Sequence, residues 1–146
     1  MTTTPGTSPK TILLDSDGLI AFFKIDDPLH ARADELVTNL EEKNWKLYIA
    51  PTIIAEAMTT FQRRFDSRNL AERFYDKVSS GSIEVVVIDR EIIITAYKVF
   101  MTSRSKKNTI FDAINIAVVR KLDLDAIFSF DTWYKKHSVK LAAELL

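Results

Sequence analysis

Short apolar runs rich in β-branched residues alternate along this chain with longer segments of helical periodicity. The apolar runs lie at residues 11–14, 46–50, 83–88 and 126–130. Continuous runs of this length are typical of strands that are buried on both faces of a sheet. Helical spacing of apolar positions fills residues 28–43, 51–65, 69–81, 91–101 and 110–119. This alternation predicts an α/β fold: one three-layer α/β/α domain with a central, mainly parallel sheet.

Two residues mark where predicted helices begin or end. Pro51 suits the first turn of the helix after the second strand, where its missing N–H costs nothing. Gly81 suits the end of the helix that runs from about Asn69, because glycine adopts the left-handed backbone that ends many helices. We find no internal repeat and no linker, so we expect a flexible tail at residues 1–10 and one domain at residues 11–146.

Composition narrows the chemistry that is available to this domain. The 146 residues include no Cys and two His, which excludes a disulfide framework and leaves the usual structural zinc sites without ligands. Any bound metal should therefore be a hard cation held by oxygen. Twenty Lys and Arg balance twenty Asp and Glu, so nucleic-acid binding would need a local basic patch. We see no secretory signal and no apolar run near the roughly 20 residues of a membrane span, and we expect a cytoplasmic protein without membrane contact.

Four acidic residues lie close to the carboxyl ends of predicted strands. Asp15 and Asp131 directly follow the first and last strands, and Glu56 lies early in the helix after the second strand. Asp112 lies in the first turn of the helix at 110–119, with no strand predicted immediately before it. Ligands of open parallel sheets bind outside the carboxyl ends of the strands. The spacing therefore favours one acidic cluster at that edge of the sheet.

Each of these acids also has a purely structural interpretation. Asp15 and Asp131 stand where helix N-caps belong, and residues 109–112 have the form of a capping box. Glu56 by itself could be a solvated helix residue. The capping interpretation is weakest for Asp112, because its helix is apolar nearly all round and a buried carboxylate needs a partner.

A cluster of four carboxylates would need a divalent cation to offset its charge. Without the cation, each carboxylate would raise the pKa of its neighbours. Mg²⁺ or Mn²⁺ fits, because both prefer carboxylate and water oxygens. Such a site can activate water and polarise a phosphoryl oxygen, which is the chemistry of phosphodiester hydrolysis. The spacing leaves open whether one or two ions bind.

Several sequence blocks resemble PIN-domain nucleases of the VapC-like toxin kind. The blocks lie at residues 12–20, 53–56, 111–122 and 125–131. The first runs an apolar strand into Asp15, and the second places Glu56 a few residues into a helix. The last two match the closing helix and strand of the family, so that the resemblance covers roughly residues 11–139.

This resemblance implies a metal-dependent endoribonuclease with the acidic cluster as its active site. The catalytic and metal-binding residues would be Asp15, Glu56, Asp112 and Asp131. Asp15 and Asp112 would be the primary metal ligands, and the other two would hold a second ion or order waters. Supporting side chains would be Asn115, Ser129 and Asp17. The same resemblance implies Mg²⁺ or Mn²⁺ as cofactor, RNA as substrate, a homodimer, and an antitoxin protein as a possible partner.

RNA binding requires positive charge beside such an acidic pocket. Basic residues follow or precede three of the acids, at Arg63, Arg64, Arg68, Arg104, Lys106, Lys107, Lys135 and Lys136. A solvated surface position is the simpler interpretation of any one of them. Trp133 and Tyr134 could stack a base, although core or dimer packing explains them better, and His137 is interpreted as an incidental surface residue.

Two alternatives come from other functional classes. Residues 15–18, Asp-Ser-Asp-Gly, also resemble the first motif of haloacid-dehalogenase phosphatases. Those enzymes carry a later Gly-Asp motif after a strand, whereas the last strand here leads into Ser-Phe-Asp. The other alternative is a PIN-like module that binds RNA or a protein without cutting. Divalent-metal binding that disappears when Asp112 is neutralised would separate a metal site from a set of helix caps.

Overall fold

Four parallel strands form the centre of the molecule. The structure is a computed structural model that describes residues 8–146, so residues 1–7 of the predicted tail lie outside it. The strands are β1 (Thr11–Leu14), β2 (Lys46–Ile49), β3 (Ile83–Val85) and β4 (Ala126–Phe128). They form one sheet in the order β3-β2-β1-β4, and every neighbouring pair is parallel. The predicted α/β fold with a parallel sheet is confirmed.

Helices connect the strands and cover the sheet. They are α1 (Ser16–Phe23), α2 (His30–Glu42), α3 (Pro51–Arg63), α4 (Arg68–Ser79), α5 (Arg90–Thr102), α6 (Ile110–Leu122) and α7 (Trp133–Lys136), followed by a 3₁₀ helix at Ala142–Leu145. The five helices expected from periodicity are α2 to α6. The pattern misses α1 because it is short and mainly apolar, and it misses the single turn of α7. Within residues 8–146, no helix is long and apolar enough to cross a membrane.

The predicted helix boundaries at Pro51 and Gly81 are confirmed. Pro51 is the first residue of α3, directly after Ala50 at the N-cap. Gly81 follows the end of α4 with a φ of 82°, a backbone region that strains residues with a Cβ. Pro51 therefore begins a helix and Gly81 follows the end of one, each for the physical reason expected.

Burial on both faces holds for β1 and β4 and is wrong for β2 and β3. Ile12, Leu13 and Leu14 of β1 are buried, as is all of β4. In β2 only Ile49 is buried, and in β3 both Glu84 and Val85 are exposed. β3 also ends at Val85 rather than at residue 88 as predicted.

The start of α1 packs tightly against the end of β4. A Cβ on Gly18 would lie 2.7 Å from both the ring and the carbonyl oxygen of Phe128. Only glycine allows this approach without a shift of the backbone. The close contact holds the segment after β1 beside the segment after β4, which brings two predicted site regions together.

Candidate active site

A polar pocket of about 310 Å³ lies where the segments after β1 and β4 meet α3 and the start of α6. Its lining residues are Asp15, Ser16, Asp17, Glu56, Lys107, Thr109, Asp112 and Asp131. The structure therefore brings all four acids of the predicted cluster into one pocket, and Asp17 with them. Their metal-binding and catalytic roles stay predictions.

Asp15 is the most deeply buried acid of the pocket, with 3% of its surface exposed. Its Oδ1 accepts hydrogen bonds from the Ser16 backbone N–H (2.8 Å) and from Asn115 Nδ2 (3.1 Å). Its Oδ2 accepts one from the Ser129 hydroxyl (3.0 Å). Burial raises the pKa of Asp15 well above its usual value, and the nearby charges of Asp17 and Asp112 raise it further. Two predicted supporting residues, Asn115 and Ser129, thus contact this carboxylate directly.

Asp112 serves as a helix cap and as a pocket residue at once. With Thr109 it forms the capping box at the start of α6, and its Oδ2 accepts the Thr109 backbone N–H at 3.1 Å. The same Oδ2 accepts a bond from Asn108 Nδ2 (3.1 Å), and Oδ1 accepts one from the Tyr134 hydroxyl (3.1 Å). The sequence argument that capping is weakest at Asp112 is wrong, because the cap is fully formed. Capping fixes this carboxylate at the mouth of the pocket instead of competing with a functional role.

Asp131 is held by a turn rather than by the end of a strand. The strand predicted at 126–130 ends at Phe128, so two residues separate β4 from Asp131. Oδ1 accepts the backbone N–H of Trp133 at 2.9 Å, and Oδ2 accepts Asn108 Nδ2 at 2.8 Å. Asn108 therefore bridges the carboxylates of Asp112 and Asp131.

Glu56 reaches the pocket from the second turn of α3. Its Oε1 accepts a hydrogen bond from the Ser16 hydroxyl. Burial raises the pKa of Glu56; the Ser16 bond opposes this, while the charges of Asp112 and Asp17 add to it. The bond to Ser16 ties α3 to α1, and it shows that Glu56 is not a solvated helix residue.

Asp17 joins the first turn of α1 to the segment after β4. Its Oδ2 accepts the backbone N–H of Phe130 at 3.1 Å. Burial raises the pKa of Asp17, and the bond from Phe130 opposes that shift. Its Oδ1 is buried and has no hydrogen-bond partner.

Sequence reasoning misses Asn108. Its preferred interpretation of Tyr134 as a packed residue is confirmed, but it misses the contacts of the Tyr134 hydroxyl. Asn108 is 8% exposed, and Ser105 fixes its amide by donating a hydrogen bond to Oδ1 at 2.7 Å. Tyr134 is fully buried, and its hydroxyl accepts from Asn115 Nδ2 (3.1 Å) while it donates to Asp112. Burial and the charges of Asp15 and Asp112 raise the pKa of Tyr134, so its hydroxyl stays a donor. Its ring cannot stack on a base. Asn108 adjoins the predicted capping box, and that position is the one sequence signal that could have drawn attention to it.

The oxygen atoms of the pocket suit a hard divalent cation. Asp17 Oδ1 and Asn115 Oδ1 are both buried without a partner, in addition to the carboxylates described above. In residues 8–146, no three acidic or histidine side chains are already placed to hold one ion between them. Mg²⁺ is often bound by one or two carboxylates and several waters, so the donor set fits it without a closed cage.

The basic residues predicted as RNA contacts separate into different environments. Lys107 lines the acidic pocket. Arg104 and Lys136 line a neighbouring pocket, whereas Lys135 forms an ion pair with Glu144 at 2.7 Å. Arg63 and Arg68 line a third pocket, between α3 and α4, which contains none of the four acids. Arg64 and Lys106 line neither the acidic pocket nor the neighbouring pocket of Arg104 and Lys136.

The family model of the PIN domain matches residues 12–140 of this chain. The chain therefore belongs to the PIN domain family, as its sequence blocks predicted. This membership leaves the haloacid-dehalogenase alternative without support. The comparison with curated proteins finds no match.

Solved structures of VapC toxins and of related toxin–antitoxin complexes share the fold. VapC20 from Mycobacterium tuberculosis, a sarcin–ricin loop cleaving toxin, is similar with a TM-score of 0.77 and 19% identity, over 88% of this chain and 95% of that one. FitAcB from Neisseria gonorrhoeae is similar with a TM-score of 0.63 and 14% identity, over 89% and 95%. VapBC2 from Rickettsia felis, bound to a DNA fragment from its promoter, gives 0.59 and 13%, over 90% and 96%. The predicted PIN fold of the VapC-like kind is confirmed.

Proposed function

We propose that this protein is a divalent-metal-dependent endoribonuclease, the toxin of a toxin–antitoxin pair that acts in the cytoplasm. The observation that carries the proposal is the pocket in which Asp15, Glu56, Asp112 and Asp131 meet, in a chain of the PIN domain family. Two of these carboxylates have raised pKa values because they are buried among other acids, so the pocket favours a bound cation.

Asp15, Glu56, Asp112 and Asp131 would hold Mg²⁺ or Mn²⁺ in this proposal. When bound, the cation would make water a stronger nucleophile and polarise the scissile phosphate. Asp17 and Asn115 each add a buried oxygen without a partner beside these ligands. The ligand oxygens come from four separate segments of the chain, so the fold as a whole positions them.

The residues around the carboxylates keep them in place for the reaction. Asn108 holds Asp112 and Asp131 at a fixed separation, and Tyr134 holds Asp112 beside Asn115. Ser129 donates to Asp15 and also accepts the Asp131 backbone N–H at 3.1 Å. Lys107 places a positive charge at the pocket, where it can attract the RNA backbone. Such outer contacts commonly change metal affinity or activity about 10-fold to 100-fold when they are removed.

The partners follow from the kinds of protein that share this fold. The similar structures include toxin–antitoxin complexes, and one is of a toxin that cleaves the sarcin–ricin loop. We therefore propose RNA as substrate and an antitoxin protein as inhibitor. A homodimer is part of the same proposal. The exposed apolar side chains of α5, among them Tyr97 and Met101, could be buried in its interface.

A cleavage assay with matched variants tests this function. Purified protein is incubated with mixed single-stranded RNA in Mg²⁺ or Mn²⁺, with EDTA in parallel. We expect cleavage that EDTA, Asp112→Asn and Glu56→Gln each abolish. The matched control is Asp123→Asn, because Asp123 is exposed, lies outside the pocket and has a left-handed backbone that Asn also adopts.

Two outcomes would contradict the proposal. Cleavage that persists in EDTA would contradict a metal-dependent mechanism. Saturable RNA binding without any cleavage, at several RNA compositions, would favour the non-cutting PIN-like module. Loss of cleavage in Asp123→Asn as well as in Asp112→Asn would indicate a general loss of folding, which circular dichroism of each variant checks.

A further inference from the structure

A second polar pocket of about 540 Å³ adjoins the acidic pocket. Its walls come from the loop between α5 and α6, which includes Arg104, and from α7 with the residue after it, which include Lys136 and His137. Asp131 lines both pockets. Asn108 lines the second pocket and donates hydrogen bonds to Asp131 (2.8 Å) and to Asp112 of the acidic pocket (3.1 Å). A polymeric ligand bound in one pocket can therefore extend directly into the other.

The charge of this second pocket is opposite to that of its neighbour. Arg104 and Lys136 form no ion pair and no side-chain hydrogen bond within the described part of the chain, so both are available to an anion. Burial and the cations Arg120 and Lys136 lower the pKa of His137, which leaves it a neutral hydrogen-bonding group near pH 7. Arg recognises phosphate oxygens with two parallel N–H bonds, and Lys binds them as a point charge.

The walls of this pocket are rigid because a buried tryptophan joins them. Trp133 is 7% exposed, and its indole N–H donates to the Ser103 hydroxyl at 3.3 Å. Its ring also packs against the ring of His137, with centroids 4.4 Å apart. The loop and α7 are thereby held at a fixed separation, with Arg104 on one wall and Lys136 on the other. A pocket of this size and order accommodates one nucleotide.

We propose that this second pocket binds the nucleotide next to the scissile phosphate, with Arg104 and Lys136 on its phosphate group. The proposal rests on the proposed function, and it assigns the substrate two adjoining sites: one phosphate at the carboxylates and the neighbouring phosphate between Arg104 and Lys136. A single RNA strand carries one phosphate charge per nucleotide. A strand with one phosphate in the acidic pocket therefore brings the next phosphate to the second pocket.

Matched neutral variants test the phosphate site. Arg104→Gln and Lys136→Gln remove the two cations of the pocket. Lys106→Gln and Lys135→Gln are the controls, because they make the same charge change on the same loop and the same short helix but outside the pocket. Lys135 already pairs with Glu144. RNA binding is measured by anisotropy of a labelled mixed-sequence strand at several salt concentrations without metal, and cleavage is measured separately.

We expect each pocket variant to weaken RNA binding on the order of tenfold at low salt, and each to reduce the salt slope by about 0.7, the value for one phosphate contact on a single strand. The KM for cleavage should rise by a similar factor while kcat changes little. The two controls should change affinity about twofold or less, as expected for surface charges at a distance.

The binding and cleavage results separate this inference from the proposed function. Cleavage by all four variants, with equal affinities and equal salt slopes in pocket variants and controls, would overturn the phosphate site and leave the ribonuclease standing. Reduced slopes in the two pocket variants, in a protein that does not cleave RNA with any metal, would support the phosphate site and overturn the ribonuclease. A protein that binds no RNA at all would overturn both.

Discussion

Replacing Asp15 by Asn should stabilise the metal-free protein, although it alters the most buried acid of the pocket. The amide oxygen of Asn can take the place of Oδ1 and accept from Ser16 N–H and Asn115 Nδ2. The amide nitrogen then takes the place of Oδ2 and donates to the Ser129 hydroxyl, which can turn to accept. Each hydrogen bond of the side chain at position 15 is thus replaced and its charge is removed, while the Ser129 hydroxyl, which also accepts the Asp131 N–H, loses the acceptor for its own proton.

The gain follows from the raised pKa of Asp15. Burial, with Asp17 and Asp112, raises this pKa well above its unfolded value, so the folded state binds the proton more tightly than the unfolded state does. The penalty on the folded state is absent below the unfolded pKa and is complete once the pH exceeds the folded pKa. Each unit of raised pKa corresponds to about 1.4 kcal/mol. We therefore expect Asp15→Asn to raise the free energy of unfolding near pH 7 in EDTA.

Asp89→Asn is the matched control with the opposite sign. Asp89 is also an N-cap, with Oδ1 accepting the Ile92 N–H at 2.9 Å, but it is exposed and forms an ion pair with Lys121 that lowers its pKa. Neutralising it should therefore lower stability. Urea unfolding of both variants in EDTA measures the two signs. A loss of stability in Asp15→Asn that is equal to or larger than that in Asp89→Asn would refute the reasoning, because it would make Asp15 an ordinary cap.

Three further predictions follow from the same contacts. Because the folded-state pKa values of Asp15, Asp17 and Glu56 are raised, these groups should make the metal-free protein lose stability as the pH rises from about 4 to 8, and urea titrations with Mg²⁺ should show a smaller loss. Tyr134→Phe removes the donor to Asp112, so it should cost about 1–3 kcal/mol in urea unfolding and weaken Mn²⁺ binding; unchanged values for both would contradict the assigned contacts. Gly18→Ala forces a Cβ against the Phe128 carbonyl, so thermal unfolding should show a loss of about 1–3 kcal/mol, and a neutral result would contradict the close packing.

The sequence predicts the elements whose signals are local. β1 is an unbroken apolar run, and Asp15 follows it directly, so both the strand and its acid can be placed from sequence. Pro51 and Gly81 act through their own backbone preferences, which need no tertiary context. β3 is different: its apolar residues favour burial on both faces, but Val85 is exposed, because the elements that cover a strand are set by long-range contacts.

The parts of the site that could not be predicted depend on contacts between distant segments. Asn108 lies in a polar loop, and only the fold brings its amide to Asp131, 23 residues further on. The aromatic ring of Tyr134 packs in the core, as its sequence context suggests. Its hydroxyl, however, donates to Asp112, which lies 22 residues earlier in the chain. For Asp112, sequence reasoning treated helix capping and a place in the site as alternatives. The carboxylate has two oxygens, however: Oδ2 caps the helix, and Oδ1 contacts Tyr134 in the site.

Direct measurement of Mn²⁺ binding to the metal-free protein tests the central claim most closely. Calorimetric titration should show saturable binding that is lost in Asp15→Asn and Asp112→Asn and kept in Asp123→Asn, with all three variants folded. Bound metal should also raise the free energy of unfolding of the wild type by about 2.7 kcal/mol when the free metal concentration is one hundred times the dissociation constant. Equal Mn²⁺ binding by all four proteins, or none by the wild type, would contradict a metal site built from these carboxylates.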